Sequence, residues 1–159
     1  MKRLNIIRSI RPDEYGLVRE AIKNSVFLKK VSWTRELHEM AYDGLSKRKW
    51  TGLGAFGDDE TLMSYLDYKE LPSGEIEVGI CMTIEEYMGL GIMKLMLLFL
   101  RSRYPDREIT IGTYEHNKAM IACIHRVGFY EEFRVNNDRI DGSSSIHYRL
   151  KSSACILEK

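Results

Sequence analysis

One unit of this 159-residue chain constrains its fold most: a strand pattern over residues 75–84 followed by a helix pattern over residues 89–104. Apolar and polar side chains alternate through the first part, which is typical of a β-strand. The residues expected on its apolar face are Ile76, Val78, Ile80, Met82 and Ile84. The second part opens with Gly89 and Gly91, continues as an apolar run and ends before Pro105, which predicts a helix. A strand that leads through glycines into a helix favours a sheet with helices packed on it.

The rest of the chain extends this unit into one mixed sheet. Patterns of period two and turn residues predict strands at 4–10, 49–57, 61–71, 75–84, 108–114, 129–135 and 143–150. Helical spacing and capping residues predict helices at 13–25, 34–45, 89–104 and 117–127. The order is β-α-α-β-β-β-α-β-α-β-β, with about seven strands and about four helices. We therefore expect an α+β (mixed α/β) fold that forms a single domain over residues 1–159.

Composition excludes several classes of protein. Hydrophobic residues make up 44% of the chain and charged residues 30%, and the formal net charge is +1. Because no basic or acidic block is present, a nucleic-acid or membrane-surface partner is not expected. The N-terminal apolar stretch is too short for a signal peptide, and the run 92–100 falls well short of the ~20 residues that span a bilayer. We expect a cytoplasmic protein.

Cysteine and histidine do not indicate a metal site or a disulfide framework. The three cysteines (Cys81, Cys123 and Cys155) lie far apart and form no C-x-x-C pair. The four histidines are equally scattered along the chain. We expect no bound metal.

The glycines before the third predicted helix have two interpretations. They form a plain turn, or they expose main-chain N–H groups at a helix N-terminus, where the helix dipole favours an anion. Gly91 is followed by Ile92 and Met93, so the Lys-Ser/Thr pair of a Walker loop is missing. The dinucleotide fingerprint needs a third glycine and belongs to the first strand-helix unit, so it does not fit either.

A second segment gives the glycine loop its context. Asn117 is followed by Met120, and then by Gly128 and Phe129 at the end of a predicted helix. Together with the loop Met88-Gly89-Leu90-Gly91-Ile92-Met93, this arrangement resembles the GNAT superfamily of N-acetyltransferases. The predicted element order is also that of the superfamily, so the resemblance covers nearly the whole chain. It implies a mostly antiparallel sheet and the use of acetyl-CoA as co-substrate.

The resemblance also implies roles for particular residues. The coenzyme A pyrophosphate would be held by the main chain of Met88, Gly89, Leu90, Gly91, Ile92, Met93 and Lys94. The pantetheine arm would lie beside Met82 and Thr83, where the fourth and fifth strands separate, and a main-chain N–H near Met82 would stabilise the oxyanion. Asn117 would contact the pantetheine arm or the acceptor.

The sequence departs from the superfamily pattern at three positions. Met88 replaces the usual Gln or Arg, and Met93 replaces a small residue, although most of the phosphate contacts are main-chain. Seven residues after Asn117, where many members carry the tyrosine that protonates the leaving thiolate, this chain has Ile124. We expect Ile124 to face the thiolate, and His125 to point about 100° away on helix geometry.

Candidate catalytic groups follow from the need for an acid and a base. Glu77 is the first candidate for the base that deprotonates the amine. The alternative is that Glu77 is a solvated strand carboxylate paired with a nearby Lys or Arg. Tyr114 is the second candidate, as an acid or acceptor-site residue, and an aromatic packed at a sheet end is its alternative. Cys81 and Cys123 are expected to be small buried residues rather than nucleophiles. The residues expected to wall the acceptor pocket are Phe27, Trp33, Tyr65 and Tyr68.

Two functions remain open from the sequence. The first is an acetyl-CoA-dependent N-acetyltransferase that modifies a primary amine of a small molecule or peptide by direct attack on the thioester. The alternative is a catalytically silent acyl-CoA-binding sensor or interaction module. The sequence identifies neither the acceptor nor the oligomeric state, and a homodimer is one of the states it allows.

Overall fold

A computed structural model describes residues 2–25 and 49–153. Its strands are β1 (Leu4–Ser9), β2 (Thr51–Gly57), β3 (Leu62–Glu70), β4 (Ile76–Thr83), β5 (Ile109–Tyr114), β6 (Tyr130–Val135) and β7 (Ser145–Leu150). Its α-helices are α1 (Tyr15–Asn24), α2 (Ile92–Arg103) and α3 (Lys118–Val127), with short 3-10 helices at Pro12–Glu14 and Glu85–Tyr87. The seven predicted strands and their order are confirmed. The predicted helix at 34–45, with Trp33 and Phe27 before it, lies outside the described residues.

The helix expected from about residue 89 begins at Ile92 instead. Gly89 and Gly91 have φ angles of 78° and 77°, which lie outside the right-handed helical region. The chain therefore makes a 3-10 turn after β4 and passes through the two glycines before α2 starts. The C-terminal end of α2 agrees with the sequence prediction, because the helix stops at Arg103, two residues before Pro105.

All seven strands form one sheet in the order β1-β2-β3-β4-β5-β7-β6. Neighbouring strands are antiparallel except β4 and β5, which run parallel. That parallel pair extends only from Ile76–Ile109 to Val78–Ile111. Beyond Val78, β4 continues to Thr83 without β5 beside it, so the two strands separate and a cleft opens in the middle of the sheet.

β4 contains an irregularity that changes which way its side chains face. Opposite β3, Leu66 pairs with Cys81 but Tyr68 pairs with Val78, so β4 carries one extra residue. An extra residue in a strand of period two moves all later side chains to the other face. Ile76 and Val78 accordingly belong to one hydrophobic cluster, and Ile80 and Met82 belong to the other. The sequence predicted one apolar face for this strand, and the structure corrects this. The apolar side chains before the extra residue lie on one face of the sheet, and those after it lie on the other.

The two clusters cover the two faces of the sheet. The larger one packs under α2 and α3 and includes Met96, Leu97, Leu100, Ile124 and Val127. The smaller one packs under α1 and includes Val18, Ile22, Phe56, Ile80 and Met82.

Tyr65 and Tyr68, which we expected to wall an acceptor pocket, lie in these clusters and are 1% and 3% exposed. The hydroxyl groups of Tyr68 and Tyr104 form a hydrogen bond of 3.1 Å. Both side chains therefore belong to the core. Within residues 2–25 and 49–153, no helix is long and apolar enough to cross a membrane.

Candidate functional site

The separation of β4 and β5 produces a cleft of about 470 Å³. One wall is the end of β4, the other is the end of β5 with α3, and the start of α2 closes one side. The residues that line it are Gly79, Ile80, Cys81, Met82, Thr83, Tyr87, Met88, Gly89, Gly91, Ile92, Met93, Lys94, Gly112, Thr113, Tyr114, Asn117, Ala119, Met120, Ala122, Cys123, Arg126 and Arg139. The cleft thus brings together most of the residues that the sequence assigned to coenzyme A.

The glycine loop presents bare main chain to this cleft. A Cβ atom added at Gly89 or Gly91 would meet nothing within 4 Å, so the space beside each glycine is free for a ligand. Gly91 caps α2, and the first helical hydrogen bond runs from Leu95 N–H to Gly91 C=O at 3.1 Å. The N–H groups that precede this bond lack helical acceptors and carry the positive end of the helix dipole. This end of the cleft is suited to a phosphate.

Two basic side chains reinforce that end. Lys94 follows the loop on the first turn of α2, and Arg126 lies on the last turn of α3. Burial raises the pKa of Cys123, and the charges of Arg126 and Lys94 oppose that rise, so both cations lie near this thiol. Within the described part of the chain, no Asp or Glu side chain lines the cleft. The cleft therefore has a positive lining.

The end of β4 offers an unpaired edge to the cleft. Ile84 N–H donates to Met63 C=O at 3.0 Å, and Met82 C=O accepts from the Ser64 hydroxyl at 2.7 Å, so the even-numbered residues direct their main chain toward β3. Because successive residues of a strand alternate, the main-chain groups of Cys81 and Thr83 point the other way, into the cleft. The N–H expected near Met82 is therefore that of Cys81 or Thr83.

A buried carboxylate holds the extra residue of β4. Asp67 is 1% exposed, and its Oδ1 accepts the Ile80 N–H at 2.7 Å. In a regular ladder this N–H would meet a carbonyl of β3, but the added residue breaks the ladder here. Asp67 thus replaces the lost main-chain partner and fixes the strand just before it enters the cleft.

Tyr114 lines the cleft at the residue where β5 stops. Its hydroxyl donates to Asp141 Oδ2 at 3.3 Å, and its ring packs edge-on against His116. Burial, and then the negative charge of Asp141, raise the pKa of Tyr114 above its usual value. The phenol is therefore protonated at neutral pH and can donate a proton.

Asn117 caps α3 as the sequence predicts, since its Oδ1 accepts the Met120 N–H at 3.2 Å. Ile124, in contrast, is 0% exposed and belongs to the core cluster under α3, so its expected position facing the thiolate is corrected. The residues of α3 that reach the cleft are Ala119, Met120, Ala122, Cys123 and Arg126. His125 is exposed and packs edge-on against Tyr148, away from the cleft, as expected.

Glu77 does not reach the cleft. It lies where β4 and β5 are still paired, opposite Thr110, and its carboxylate contacts Lys69 Nζ at 3.2 Å. This corrects its assignment as general base in favour of the alternative, a strand carboxylate paired with a lysine. The reason is positional, because the two strands separate only after Val78.

The remaining residues that the sequence assigned to coenzyme A all line the cleft except one. Met82, Thr83, Met88, Ile92 and Met93 line the cleft, whereas Leu90 is 49% exposed and lies outside the lining. Cys81 and Cys123 both line the cleft rather than being fully buried, and burial raises the pKa of both thiols. Protonated thiols are poor nucleophiles, which agrees with the sequence interpretation.

Arg126 and Arg139 are cleft residues that sequence reasoning missed. Arg126 shares a helix face with Ala119, Ala122 and Cys123, so correct phasing of α3 would have found it. Arg139 lies in the connection from β6 to β7, and nothing in the local sequence distinguishes it from other surface arginines. Among the described residues, no group of three or more His, Cys, Asp or Glu side chains could hold a metal ion.

Comparisons with known proteins give matches of structure only. No family model matches the sequence, and no curated protein matches it. A ribosomal-protein α-N-acetyltransferase in complex with coenzyme A superposes with a TM-score of 0.75 at 17% identity, covering 93% of this chain and 94% of that one. An acetyltransferase assigned to the GNAT family from Desulfovibrio desulfuricans gives 0.69 at 18% identity, covering 92% and 98%.

A spermidine N-acetyltransferase from Vibrio cholerae is also similar, with a TM-score of 0.69 at 13% identity over 92% of this chain and 95% of that one. At such identities a likeness establishes the fold and not the activity. Three features of this chain agree with the likeness of fold: the strand order, the separation of β4 from β5, and the glycine loop before α2. The chain has the fold of the GNAT superfamily of N-acetyltransferases.

Proposed function

We propose that the protein is an acetyl-CoA-dependent N-acetyltransferase that transfers an acetyl group to a primary amine. The observation that carries this proposal is the continuous cleft that runs from the bare glycine loop of α2, along the unpaired edge of β4, to the phenol of Tyr114. Acetyl-CoA has a matching sequence of parts: a diphosphate, an extended arm and a thioester. The coenzyme A complex of one structural neighbour supports the same choice of co-substrate.

The residues present fit this co-substrate. The main chain at Gly89 and Gly91, where a Cβ would meet nothing, and the N–H groups at the start of α2 suit the diphosphate. Lys94 and Arg126 supply positive charge beside it. The edge of β4 at Cys81 and Thr83 can hydrogen-bond the amide groups of the arm, as an added strand would.

The chemistry requires stabilisation of an oxyanion and protonation of a thiolate. The amine nitrogen attacks the thioester carbon, and the carbonyl oxygen gains a negative charge that an N–H of Cys81 or Thr83 can stabilise. The carbon–sulfur bond then breaks, and coenzyme A leaves as a thiolate. Tyr114 is the group in the cleft best suited to protonate it, because its raised pKa keeps the phenol intact at neutral pH.

The described residues place no carboxylate in the cleft to act as a base. We infer that the acceptor attacks as the neutral amine, and that water takes the proton that its nitrogen loses as the amide forms. The rate is then expected to rise with pH as the acceptor amine loses its proton, because only the neutral amine is a nucleophile.

The lack of a carboxylate among the described cleft residues also favours a second candidate, an acyl-CoA-binding module that performs no transfer. Such a module would use the same glycine loop and β4 edge. It would bind acetyl-CoA without releasing thiol in the presence of any amine.

One experiment separates these functions. Purified protein is incubated with acetyl-CoA and a panel of primary amines, and free thiol is measured over time, while acetyl-CoA binding is followed by the rise in melting temperature. Amine-dependent thiol release supports the transferase, and binding without release supports the silent module. The absence of any shift at millimolar acetyl-CoA would exclude both.

A further inference from the structure

We propose that His147 accepts, through one bridging water, the proton that the attacking amine loses. This inference rests on the proposed transferase function and adds a residue to its chemistry. It follows from the position of the imidazole beside Gly112, from the contact that orients the ring, and from the lack of a carboxylate in the described lining of the cleft. His147 acts through the water and does not touch the substrate.

The pairing of β5 with β7 places His147 next to the cleft. Gly112 of β5 lies directly opposite His147 of β7. Side chains of directly opposite residues project from the same face of a sheet, so the imidazole lies beside Gly112 on that face. A Cβ atom at Gly112 would be 3.1 Å from Cε1, 3.2 Å from Nδ1 and 3.7 Å from Nε2 of the ring. Both ring nitrogens therefore adjoin a residue that itself lines the cleft.

The missing side chain of Gly112 leaves the imidazole open toward the cleft. Any other residue at this position would place its Cβ against the ring, closer than ordinary van der Waals contact. A glycine inside a strand often marks a place where another group approaches closely. No side chain of β5 stands between His147 and the cleft at this point, so water in the cleft has access to the ring.

A stack on Phe133 orients the ring. Phe133 of β6 lies opposite His147, the two ring planes are inclined by 8°, and their centroids are 4.4 Å apart. Within the described residues, neither nitrogen of this imidazole forms a hydrogen bond. A neutral imidazole has one nitrogen that accepts a hydrogen bond, so its lone pair is available to a water.

The surroundings of His147 keep its imidazole neutral at pH 7. Burial lowers its pKa below the ordinary value of 6.5, and the charge of Arg139 also lowers it. The carboxylates of Asp138, Glu77 and Glu132 face the ring from the β6–β7 turn, from β4 and from β6, and raise the pKa by less than the total decrease. Only a neutral imidazole can accept a proton, so His147 is in the required state at neutral pH.

The transfer balances with Tyr114 as the acid. The amine nitrogen bonds to the thioester carbon and gives one proton to the water, which passes one of its own to His147. The carbon–sulfur bond then breaks, and the thiolate takes the proton of the Tyr114 phenol. Proton exchange with solvent returns the imidazolium and the phenolate to their neutral forms. The net products are the acetylated amine and coenzyme A with a free thiol.

The histidines at positions 116 and 125 do not share this environment. His116 is exposed, and its Nε2 lies 3.8 Å from a carboxylate oxygen of Glu115. His125 is exposed as well and packs against Tyr148, away from the cleft. His125 therefore offers a control with the same side chain.

The test compares His147→Gln, His147→Asn and His147→Ala with the control His125→Gln. Glycinamide is the first acceptor, because the pKa of an α-amine is about 8, and the best amine of the panel replaces it if glycinamide is not acetylated. We measure kcat between about pH 5 and 9, with acetyl-CoA and amine both saturating. The melting shift with acetyl-CoA shows that each variant is folded.

We expect His147→Gln to lower kcat about 10²-fold at neutral pH and above, and His125→Gln to leave it unchanged. Acetyl-CoA affinity should stay within about twofold in all variants. The ratio of kcat in the unchanged protein to kcat in His147→Gln should shrink toward one as pH falls below 6.5, because a protonated imidazole accepts no proton. Added imidazole should restore part of kcat in His147→Ala and leave the unchanged protein unaffected.

A ratio that does not change with pH, or a loss that appears only in KM, would assign His147 a structural role. Either result would overturn the inference while leaving the transferase function standing. Titration of the His147 ring by NMR needs no variant, and a ring that is still protonated at pH 7 would also overturn it. If the unchanged protein acetylates no amine, the transferase function fails, and the role of His147 fails with it.

Discussion

Gly91 shows at the scale of one residue how a missing side chain can make a site. Its φ of 77° is strained for other residues, and a Cβ placed there would point into free space beside the N-terminus of α2. Gly142 has the same properties, with a φ of 81° and nothing within 4 Å of an added Cβ, but it lies outside the cleft. Substitutions at the two glycines therefore distinguish the effect of backbone strain from the effect of a lost ligand contact.

We expect Gly91→Asp to weaken acetyl-CoA binding about tenfold or more, or at least ~1.4 kcal/mol, because the carboxylate would meet the diphosphate. Both substitutions should lower the free energy of unfolding by ~1–2 kcal/mol, because Asp is strained at a positive φ. Gly142→Asp should nevertheless leave the affinity for acetyl-CoA unchanged. Calorimetric titration and urea unfolding measure the two quantities. Equal affinity in both variants would mean that the glycine loop is only a turn.

Tyr114 is the second residue with a specific expectation. Tyr114→Phe removes the proposed acid and should lower kcat by ~10²-fold or more, with little change in the affinity for acetyl-CoA. A phenol acts as an acid only while protonated, and its pKa is raised, so the Tyr114-dependent activity should be present at neutral pH and fall only above about pH 10. The pH–rate profile of the variant should lack this fall. Tyr130→Phe, on exposed β6, is the control, and a rate loss equal in both variants would contradict the assignment.

At the scale of an element, the irregular strand β4 depends on Asp67. Removal of its carboxylate in Asp67→Ala leaves the Ile80 N–H buried without that acceptor, which should lower the free energy of unfolding by about 1–3 kcal/mol. Acetyl-CoA affinity should fall as well, because the β4 edge beyond this point would no longer be held. Urea unfolding and calorimetric titration give these values.

Asp67→Asn keeps an acceptor oxygen and should lose less stability than Asp67→Ala. Asp58→Ala, in the exposed turn between β2 and β3, should change neither quantity. A stability loss in Asp67→Ala without any loss of affinity would show that the extra residue of β4 shapes the core but not the cleft.

Helix α3 explains why one site residue was misplaced. The expectation for Ile124 counted seven residues from Asn117, as if both lay on the helix. Asn117 is the cap, with φ and ψ of −80° and 71°, and the helix begins only at Lys118. Its side chain therefore does not share the helical phase, and the apolar residues Ile124 and Val127 set the phase by packing on the sheet.

At the scale of the whole molecule, ion pairs fix the ends of the sheet and make stability depend on acid. Glu14 joins β1 to the start of α1, because its carboxylate accepts from Arg8 at 2.7 and 2.8 Å and from Arg11 at 2.8 Å. The hydrogen bonds from Arg8, with those of Arg11, lower the pKa of Glu14 to about 2. At the other end, Arg149 binds the carboxylates of Glu75, Glu108 and Glu132.

A carboxylate with a lowered pKa stabilises the fold above its unfolded pKa and loses that contribution as pH falls through the folded value. For Glu14 this window runs from pH 4.5 down to about 2, and its full contribution at neutral pH is at most about 3.4 kcal/mol. Glu14→Gln should therefore be less stable at pH 7 and should lose less stability between pH 5 and about 2. Glu20→Gln, which removes an exposed carboxylate of α1, should retain the full acid dependence in urea unfolding; equal profiles would contradict the role of Glu14.

The sequence by itself determined the elements and the glycine loop before α2, because both depend on near neighbours in the chain. Alternation over 75–84, the glycines at 89 and 91 and the cap at Asn117 act within a few residues, and the described strands and helices follow them. The tertiary structure decided everything that depends on pairing between distant segments. The extra residue in β4 reverses its faces, β5 leaves β4 after Val78 and excludes Glu77, and the β6–β7 turn brings Arg139 into the cleft. Such contacts follow from the pairing of strands that are distant in the chain, and one extra residue in that pairing moves every later side chain to the other face.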